Sequence, residues 1–302
     1  MNASTRDPSL AEYLVGCQTH IVHGERWHHR IIEYGDGGIP FVFVHGSNGH
    51  AEVFAKNLRS LGRERRVIAL DALYHGLSSK EPWIDGYYNR IEVQAEGLAD
   101  LLNALGIERV ILEGESMGAG VCLEFAMRWP ERVECLIMCT GCGSVDIQGS
   151  TYMQRLDEES DFSLLSREVA VQPTFNSMRK RLEWLVASPE SVTDDLVGVR
   201  LQLYSVPEVR ECMRRMSQAG DDAPHPKYTE DDLQNLVVPT LVLWTDQNPG
   251  DGPEVGKHLS ELIPHARFEV IRDAGHWPHW ERPEEHDARV RQFIVDAAGG
   301  NA

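Results

Sequence analysis

No stretch of this chain has the length of a membrane helix: apolar runs such as PFVFV at 40–44 fall far short of the ~20 residues that a span requires. The opening MNASTRDPSLAEY lacks a basic region followed by an apolar run, so the chain reads as cytoplasmic. Positive charge is scarce. Against 47 Asp and Glu stand 29 Lys and Arg, a net charge of -18, which argues against nucleic acid or an anionic membrane as partner. An enzyme of this composition that acts on an anion needs a cation fixed at its site. The six cysteines (Cys17, Cys122, Cys135, Cys139, Cys142, Cys212) show neither a paired framework nor metal-ligand spacing, and read as small buried hydrophobes in a reducing compartment. There are no repeats or low-complexity segments, and no pattern calls for a metal or an organic cofactor. The expected partner is a small-molecule substrate, with homo-oligomer formation left open.

The chain has 302 residues, 42% of them hydrophobic, enough for one large domain or for a domain carrying an insertion. From about residue 40, near-continuous apolar runs alternate with helical patterns: PFVFVHG (40–46), RVIALD (66–71), RVILEGE (109–115), VECLIMCTG (133–141), PTLVLWT (239–245) and RFEVIRD (267–273). Such runs are expected of strands buried on both faces of a parallel sheet. Ile91, Ala95, Leu98, Leu101, Leu102 and Leu105 recur at helical spacing and would face that sheet. Between about 145 and 233 strand-like runs give way to helical ones, with Ser191 or Thr193 available to cap a helix after Pro189. The reading is an α/β fold: residues 1–144 and 234–302 form a mostly parallel sheet flanked by helices, and 145–233 form an inserted helical cap.

LEGESMGAG at 112–120 places Ser116 between glycines in a G-x-S-x-G pattern, after a predicted buried strand and at the start of a predicted helix. Chance alone yields that pattern about 0.1 times in a chain of this length, but the strand-to-helix context is what a nucleophile elbow requires. A serine hydroxyl is a weak nucleophile at neutral pH and needs a base, a group to orient that base, and donors for the developing oxyanion. AGHWPHWERPEE at 274–285 follows the last predicted strand and puts His276 in a loop before the final helix, in the order serine, acid, histidine. His276 is therefore the expected base, with His279 as its neighbouring competitor. In VHGSNG, the loop after the first buried strand, the amide of Ser47 can converge with that of Met117 on an oxyanion. His45 and His75 read as structural loop histidines.

Through VHGSNG, DALYHGLSS, GESMGAG, RWPERV and AGHWPHWERPEE the chain resembles the α/β-hydrolase superfamily over nearly all its length. RLEWLVASPESVTDDLVGVR in the cap, CTGCG after the elbow helix and the pair His276-Trp277 are similar to the meta-cleavage-product hydrolases, which cut a carbon–carbon bond in ring-fission products of aromatic degradation. The resemblance implies a substrate of the 2-hydroxy-6-oxo-dienoate type, a vinylogous diketone acid that is first ketonised and then hydrolysed to a carboxylic acid and a hydroxydienoate. It also implies Ser116 and His276 as nucleophile and base, Ser47 and Met117 as oxyanion donors, Arg200 as the cation for the substrate carboxylate, and Trp277 as a pocket wall.

Two positions depart from that pattern. In WTDQNPGDG, Asn248 stands where the family carries the triad aspartate. An amide can orient an imidazole but cannot stabilise imidazolium by charge, and the analogous change in a serine protease costs about 10⁴ in turnover. Asp246 at the strand end, or Asp251 farther along, can supply the charge if the loop is remodelled; Asp246 is the favoured acid, with Asn248 as an uncharged orienting group the alternative. Beside the nucleophile, Glu115 replaces the asparagine usual in carbon–carbon hydrolases. It would oppose oxyanion formation if ionised, and donate a proton if burial keeps it neutral. These departures leave a carboxylesterase or lactonase on the same scaffold as the alternative, and a non-catalytic ligand receptor as a reading of another class.

Overall fold

The computed structural model describes residues 8–82, 91–141, 144–151, 160–217 and 227–299. Its main sheet has eight strands: β1 (Gln18–His23), β2 (His28–Tyr34), β3 (Phe41–Val44), β4 (Val67–Leu70), β5 (Val110–Glu115), β6 (Val133–Cys139), β9 (Thr240–Thr245) and β10 (Arg267–Ile271). They lie in the order β1-β2-β4-β3-β5-β6-β9-β10. Every pairing from β4 to β10 is parallel, and β1 and β2 add an antiparallel edge. The six strands expected from apolar runs are all present, β3, β4, β5 and β9 buried at every residue. Of the two antiparallel strands, β1 escaped notice because it is largely exposed and built from histidine and polar residues, and β2 because histidine, arginine and glutamate flank its only two apolar aliphatic residues.

Alternation along each strand divides the core in two. Val42, Val44, Leu112, Met138 and Trp244 face α3 (Ile91–Ala104), α4 (Met117–Arg128) and α9 (Pro253–Leu262). Phe41, Phe43, Ile111, Ile137 and Leu243 face the other way, toward α2 (Ala55–Leu61) and α11 (Pro283–Gly299), in an apolar cluster that continues into the helices inserted after β6. These are α5 (Asp161–Val171), α6 (Phe175–Glu183), α7 (Asp194–Ser205) and α8 (Pro207–Met216). These helices lie between β6 and β9, and two short strands accompany them. Val145–Asp146 (β7) and Tyr228–Thr229 (β8) pair in parallel and draw the two ends of the insert together. Two residues per strand are too few to leave a period-2 signal. Thr193 does precede α7, without a side-chain cap bond.

Among the described residues no helix is long and apolar enough to cross a membrane. Cys122, Cys135, Cys139 and Cys212 are free and buried, Cys17 is free and half-buried, and Cys142 lies outside the described residues. Burial pushes the thiols of Cys135 and Cys212 up to about 12.

Candidate active site

At the C-terminal end of β5 the chain turns sharply into α4, and Ser116 occupies the turn with φ 56° and ψ -118°. A side chain in this region is strained unless its surroundings hold it there. Two glycines permit the close packing: a Cβ on Gly114 would lie 2.1 Å from the carbonyl oxygen of Gly118, and one on Gly118 would lie 2.1 Å from that of Val44. The Ser116 amide is tied across to Cys139 O at 3.0 Å on β6. Met117 opens α4, so its amide is among those that a helix leaves without an intrahelical acceptor.

The loop after β10 carries His276. Several bonds hold it: Thr245 Oγ1 donates to Gly275 O (2.7 Å), Thr140 Oγ1 donates to His276 O (2.8 Å), and the Gly275 amide donates to Glu281 Oε2 (2.7 Å). From the insert, Leu185 O accepts the His276 amide at 2.6 Å, so the roof and the histidine loop are joined directly.

His276 Nδ1 donates to Asn248 Oδ1 at 2.6 Å, and Asn248 Nδ2 donates in turn to the Asp251 carbonyl at 2.7 Å. The second bond sets the orientation of the amide, and with it the tautomer of the imidazole. The favoured acid, Asp246, is misplaced: it is exposed, and the ring nitrogen bonds Asn248 instead. A carboxylate at the strand end gains hydration by turning outward, and the buried loop position is filled by the residue that aligns with the family's acid. Asp251 is buried, but its carboxylate accepts from Ser150 Oγ (2.9 Å), Thr151 N (2.6 Å) and Thr151 Oγ1 (3.0 Å), so it acts on the imidazole through its backbone carbonyl and Asn248.

His276 Nε2 faces Glu115. Glu115 Oε1 is 3.1 Å from Nε2, and Oε2 accepts the Gly46 amide at 2.7 Å. Glu115 is 2% exposed and does not point into solvent. Because Nδ1 already carries its proton toward Asn248, Nε2 and the carboxylate attract only with one further proton between them, as imidazolium with carboxylate or imidazole with carboxylic acid. Among the described residues no hydrogen bond joins Ser116 Oγ to His276, although both line one cavity with Gly46, Phe162, Arg181 and Trp277. Ser47 and Glu115 border the same space.

Arg200 descends from α7 and is 2% exposed, with its guanidinium 5.3 Å from the centre of the Trp277 ring. Its Nε and Nη2 are buried without a hydrogen-bond partner among the described residues. Burial lowers its pKa, opposed by Tyr204, Glu115 and Glu52. Arg181 on α6 escaped the sequence reading: 3% exposed, it lies 4.5 Å from the Phe162 ring centre and reaches the cavity wall. A signal was available, since it follows Met178 by three residues on the buried stripe of α6, where a charge is unusual.

His279 is buried beside Phe54 and His286, with neither ring nitrogen partnered among the described residues, and lies outside the cavity that His276 lines. His45 Nδ1 donates to Gly46 O (2.7 Å) and its Nε2 accepts from Ala72 N (3.0 Å), while His75 Nδ1 donates to Leu73 O (2.9 Å). Burial drives both down to about 3. Glu113, Cys139 and His286 bring donor atoms within 4.8 Å of one another, the spacing of a metal site. Glu113 Oε1 accepts from His286 Nε2 at 2.7 Å, Glu113 Oε2 is buried without a partner among the described residues, and burial holds the Cys139 thiol well above its usual range.

Residues 39–283 match the family model of the alpha/beta hydrolase fold. The chain is 30% identical over 272 residues to a 2-hydroxy-6-oxononadienedioate/2-hydroxy-6-oxononatrienedioate hydrolase from Paraburkholderia xenovorans, covering 86% of this chain and 88% of that protein. Among solved structures it is similar to a 2-hydroxy-6-oxo-6-phenylhexa-2,4-dienoate hydrolase from a Rhodococcus species (TM-score 0.77, 20% identity, 92% and 99% of the two chains). It is also similar to a thermophilic esterase from Thermogutta terrifontis (TM-score 0.70, 24% identity, 93% and 99%). With the strand order, the elbow and the inserted helices already in place, this chain belongs to the α/β-hydrolase family.

Proposed function

We propose that this hydrolase cleaves the carbon–carbon bond next to the 6-keto group of a 2-hydroxy-6-oxo-dienoate. The supporting observation is Arg200, a buried guanidinium with two nitrogens unpartnered among the described residues, over the Trp277 ring that lines the serine cavity, in a protein whose net charge is -18. Such a group is costly to bury unless an anion completes it. A dienoate carboxylate matches its planar fork of donors. The name of the Paraburkholderia relative points to the same substrate class.

The insert at 145–233 acts as the cap and supplies the roof. Bound under it, the dienol loses its 2-hydroxyl proton and gains one at C5, and the proton shared by Glu115 and His276 is placed for that exchange. With Nε2 free, His276 takes the Ser116 proton as Oγ attacks C6. The amides of Met117 and Ser47 hold the oxyanion. The C5–C6 bond then breaks, its electron pair is delocalised into the C2 carbonyl as a dienolate, and water releases the acid from Ser116. Asn248 keeps the imidazole in the productive tautomer. Glu115 provides the negative charge that Asn248 lacks, from the opposite ring nitrogen.

The test compares a coloured dienoate with a neutral aryl ester, using the native enzyme and Arg200→Ala. The expected result is faster turnover of the dienoate and a loss of about ten- to a hundredfold in its kcat/KM in the variant, with much less effect on the ester. Preferred ester turnover with equal losses on both substrates would replace this reading with a carboxylesterase or lactonase. Binding of both compounds without turnover would make the protein a receptor.

A further inference from the structure

We infer that Glu281 is a positioning residue for His276, its carboxylate tying the histidine loop to segment 185–191 of the insert, so that the base is in place only when the insert is seated. The inference rests on His276 being the base, as proposed above, and not on which substrate is cleaved. Gly275 and His276 present four main-chain polar atoms, and these are divided by side. Both carbonyls are held from the sheet: Gly275 O accepts from Thr245 Oγ1 (2.7 Å) at the end of β9, and His276 O accepts from Thr140 Oγ1 (2.8 Å) just past β6. Both amides are held toward the insert. His276 N donates to Leu185 O at 2.6 Å, and Gly275 N donates to Glu281 Oε2 at 2.7 Å, while Oε1 of the same carboxylate accepts the Ser188 amide at 2.9 Å.

Glu281 ends the short helix α10 (Pro278–Glu281) that follows Trp277, and its neighbour Trp280 adds a bond from Nε1 to Ser191 O at 2.8 Å. The seam leaves no slack: a Cβ on Gly275 would lie 2.6 Å from Ala187 N and 2.7 Å from Leu185 O. Gly275 is buried, so its amide depends on the carboxylate for a partner. A carboxylate between two amides makes two charge-assisted bonds, whereas a glutamine of equal length offers one oxygen and turns an NH2 toward the other donor. The same linkage recurs at the other side of the imidazole, where the Asp251 carboxylate holds Ser150 and Thr151 of the insert and its main-chain carbonyl holds Asn248. Leu185 also lines the serine cavity, so the segment that fixes the histidine is one that a bound substrate meets. Loss of the Glu281 bridge frees the Gly275 amide while the sheet keeps both carbonyls, which tilts the ring, and a misplacement of about 1 Å costs about 10²-fold in rate.

The experiment uses the intact protein, Glu281→Ala and the milder Glu281→Gln, which keeps the length of the side chain. Two quantities are measured: the rate constant for labelling of Ser116 by a fluorophosphonate probe, and the low-field proton NMR resonance of His276 Nδ1–H, which is bonded to Asn248. The rate constant should fall about ten- to a hundredfold in Glu281→Ala, with Glu281→Gln in between. The Nδ1 resonance should move or broaden in the same order, a change that a loss of stability elsewhere in the fold does not produce. A rate constant within about twofold of the native value, or an unmoved resonance in a folded variant, overturns the inference; if Glu281→Ala does not fold, Glu281→Gln decides by the same two criteria. His276→Ala separates this from failure of the base assignment. If it is labelled as fast as the native protein, His276 is not the base, and the resonance alone then decides whether Glu281 places the ring: a shift supports it and no shift overturns it.

Discussion

His276 lies between two oxygens, Asn248 Oδ1 at 2.6 Å from Nδ1 and Glu115 Oε1 at 3.1 Å from Nε2, so amide and carboxylate hold the ring from its two nitrogens. In the proposed mechanism, charge and orientation, combined in one aspartate in the usual triad, are divided between these two residues. Glu115→Gln keeps an acceptor for the Gly46 amide and removes the shared proton. It is expected to lower kcat/KM about a hundredfold, within the usual range for losing a general acid–base group. Steady-state kinetics checks this, and a variant as active as the native enzyme would reduce Glu115 to a brace for the Gly46 loop.

At position 248 two effects compete. Asn248→Asp adds charge next to the imidazole but removes one of the two donors to the Asp251 carbonyl, leaving Trp244 Nε1 at 3.0 Å as the other, and a lost hydrogen bond costs about 0.5–1.5 kcal/mol. With Glu115 already supplying charge, the expected outcome is a less stable enzyme with turnover changed less than about tenfold. Exposed Asp246, in contrast, tolerates Asp246→Asn without change. Urea denaturation with parallel kinetics decides, and a large loss in Asp246→Asn would restore it as the acid.

Ser116 is held at φ 56°, a conformation that costs a non-glycine residue about 1–3 kcal/mol. Ser116→Gly should therefore raise stability by up to about 1 kcal/mol after its own entropy cost, while eliminating labelling by a fluorophosphonate probe. Ser116→Ala should lose the label without the gain. Retained labelling in either variant would exclude Ser116 as the nucleophile.

Below the sheet, His286 is hydrogen bonded to Glu113 Oε1 (2.7 Å) and Asp287 Oδ1 (3.0 Å). Burial disfavours its charge, but the Glu113 charge and these two bonds outweigh burial and raise it from 6.5 to about 10. A group raised on folding contributes stability that is complete below its unfolded pKa and disappears as pH climbs through the folded one. Stability should thus decline between about pH 6.5 and 10, and the decline should flatten in His286→Gln. A parallel slope in the variant would place the titration elsewhere.

Gly118→Ala should cost about 3 kcal/mol or more, or prevent folding, because its Cβ would meet a backbone oxygen of β3 that cannot move without breaking the sheet. Thermal melting provides the measurement, and a melting temperature equal to that of the native enzyme would mean that the elbow has more room than 2.1 Å.

Local chemistry made much of this protein legible from its residues. Six strands showed as apolar runs because both faces of the parallel sheet are covered, five of them largely buried and β10 half-buried at the sheet edge, and Ser116 showed as an elbow because small residues must stand two positions to either side of it. The same holds for His276, since its place after the last strand follows from chain order alone. What tertiary structure decided were the choices between residues close in sequence and the identities of their partners. Asp246 and Asn248 are two positions apart, and only the bond to the Asp251 carbonyl determines which one meets the imidazole. Glu115 acquires its position from Gly46, on another strand's loop, and Arg181 acquires its place on the cavity wall by packing against Phe162 on another helix. A sequence records which side chains can carry charge; burial and the neighbours brought by folding determine whether that charge is satisfied, and an unsatisfied one marks where a ligand belongs.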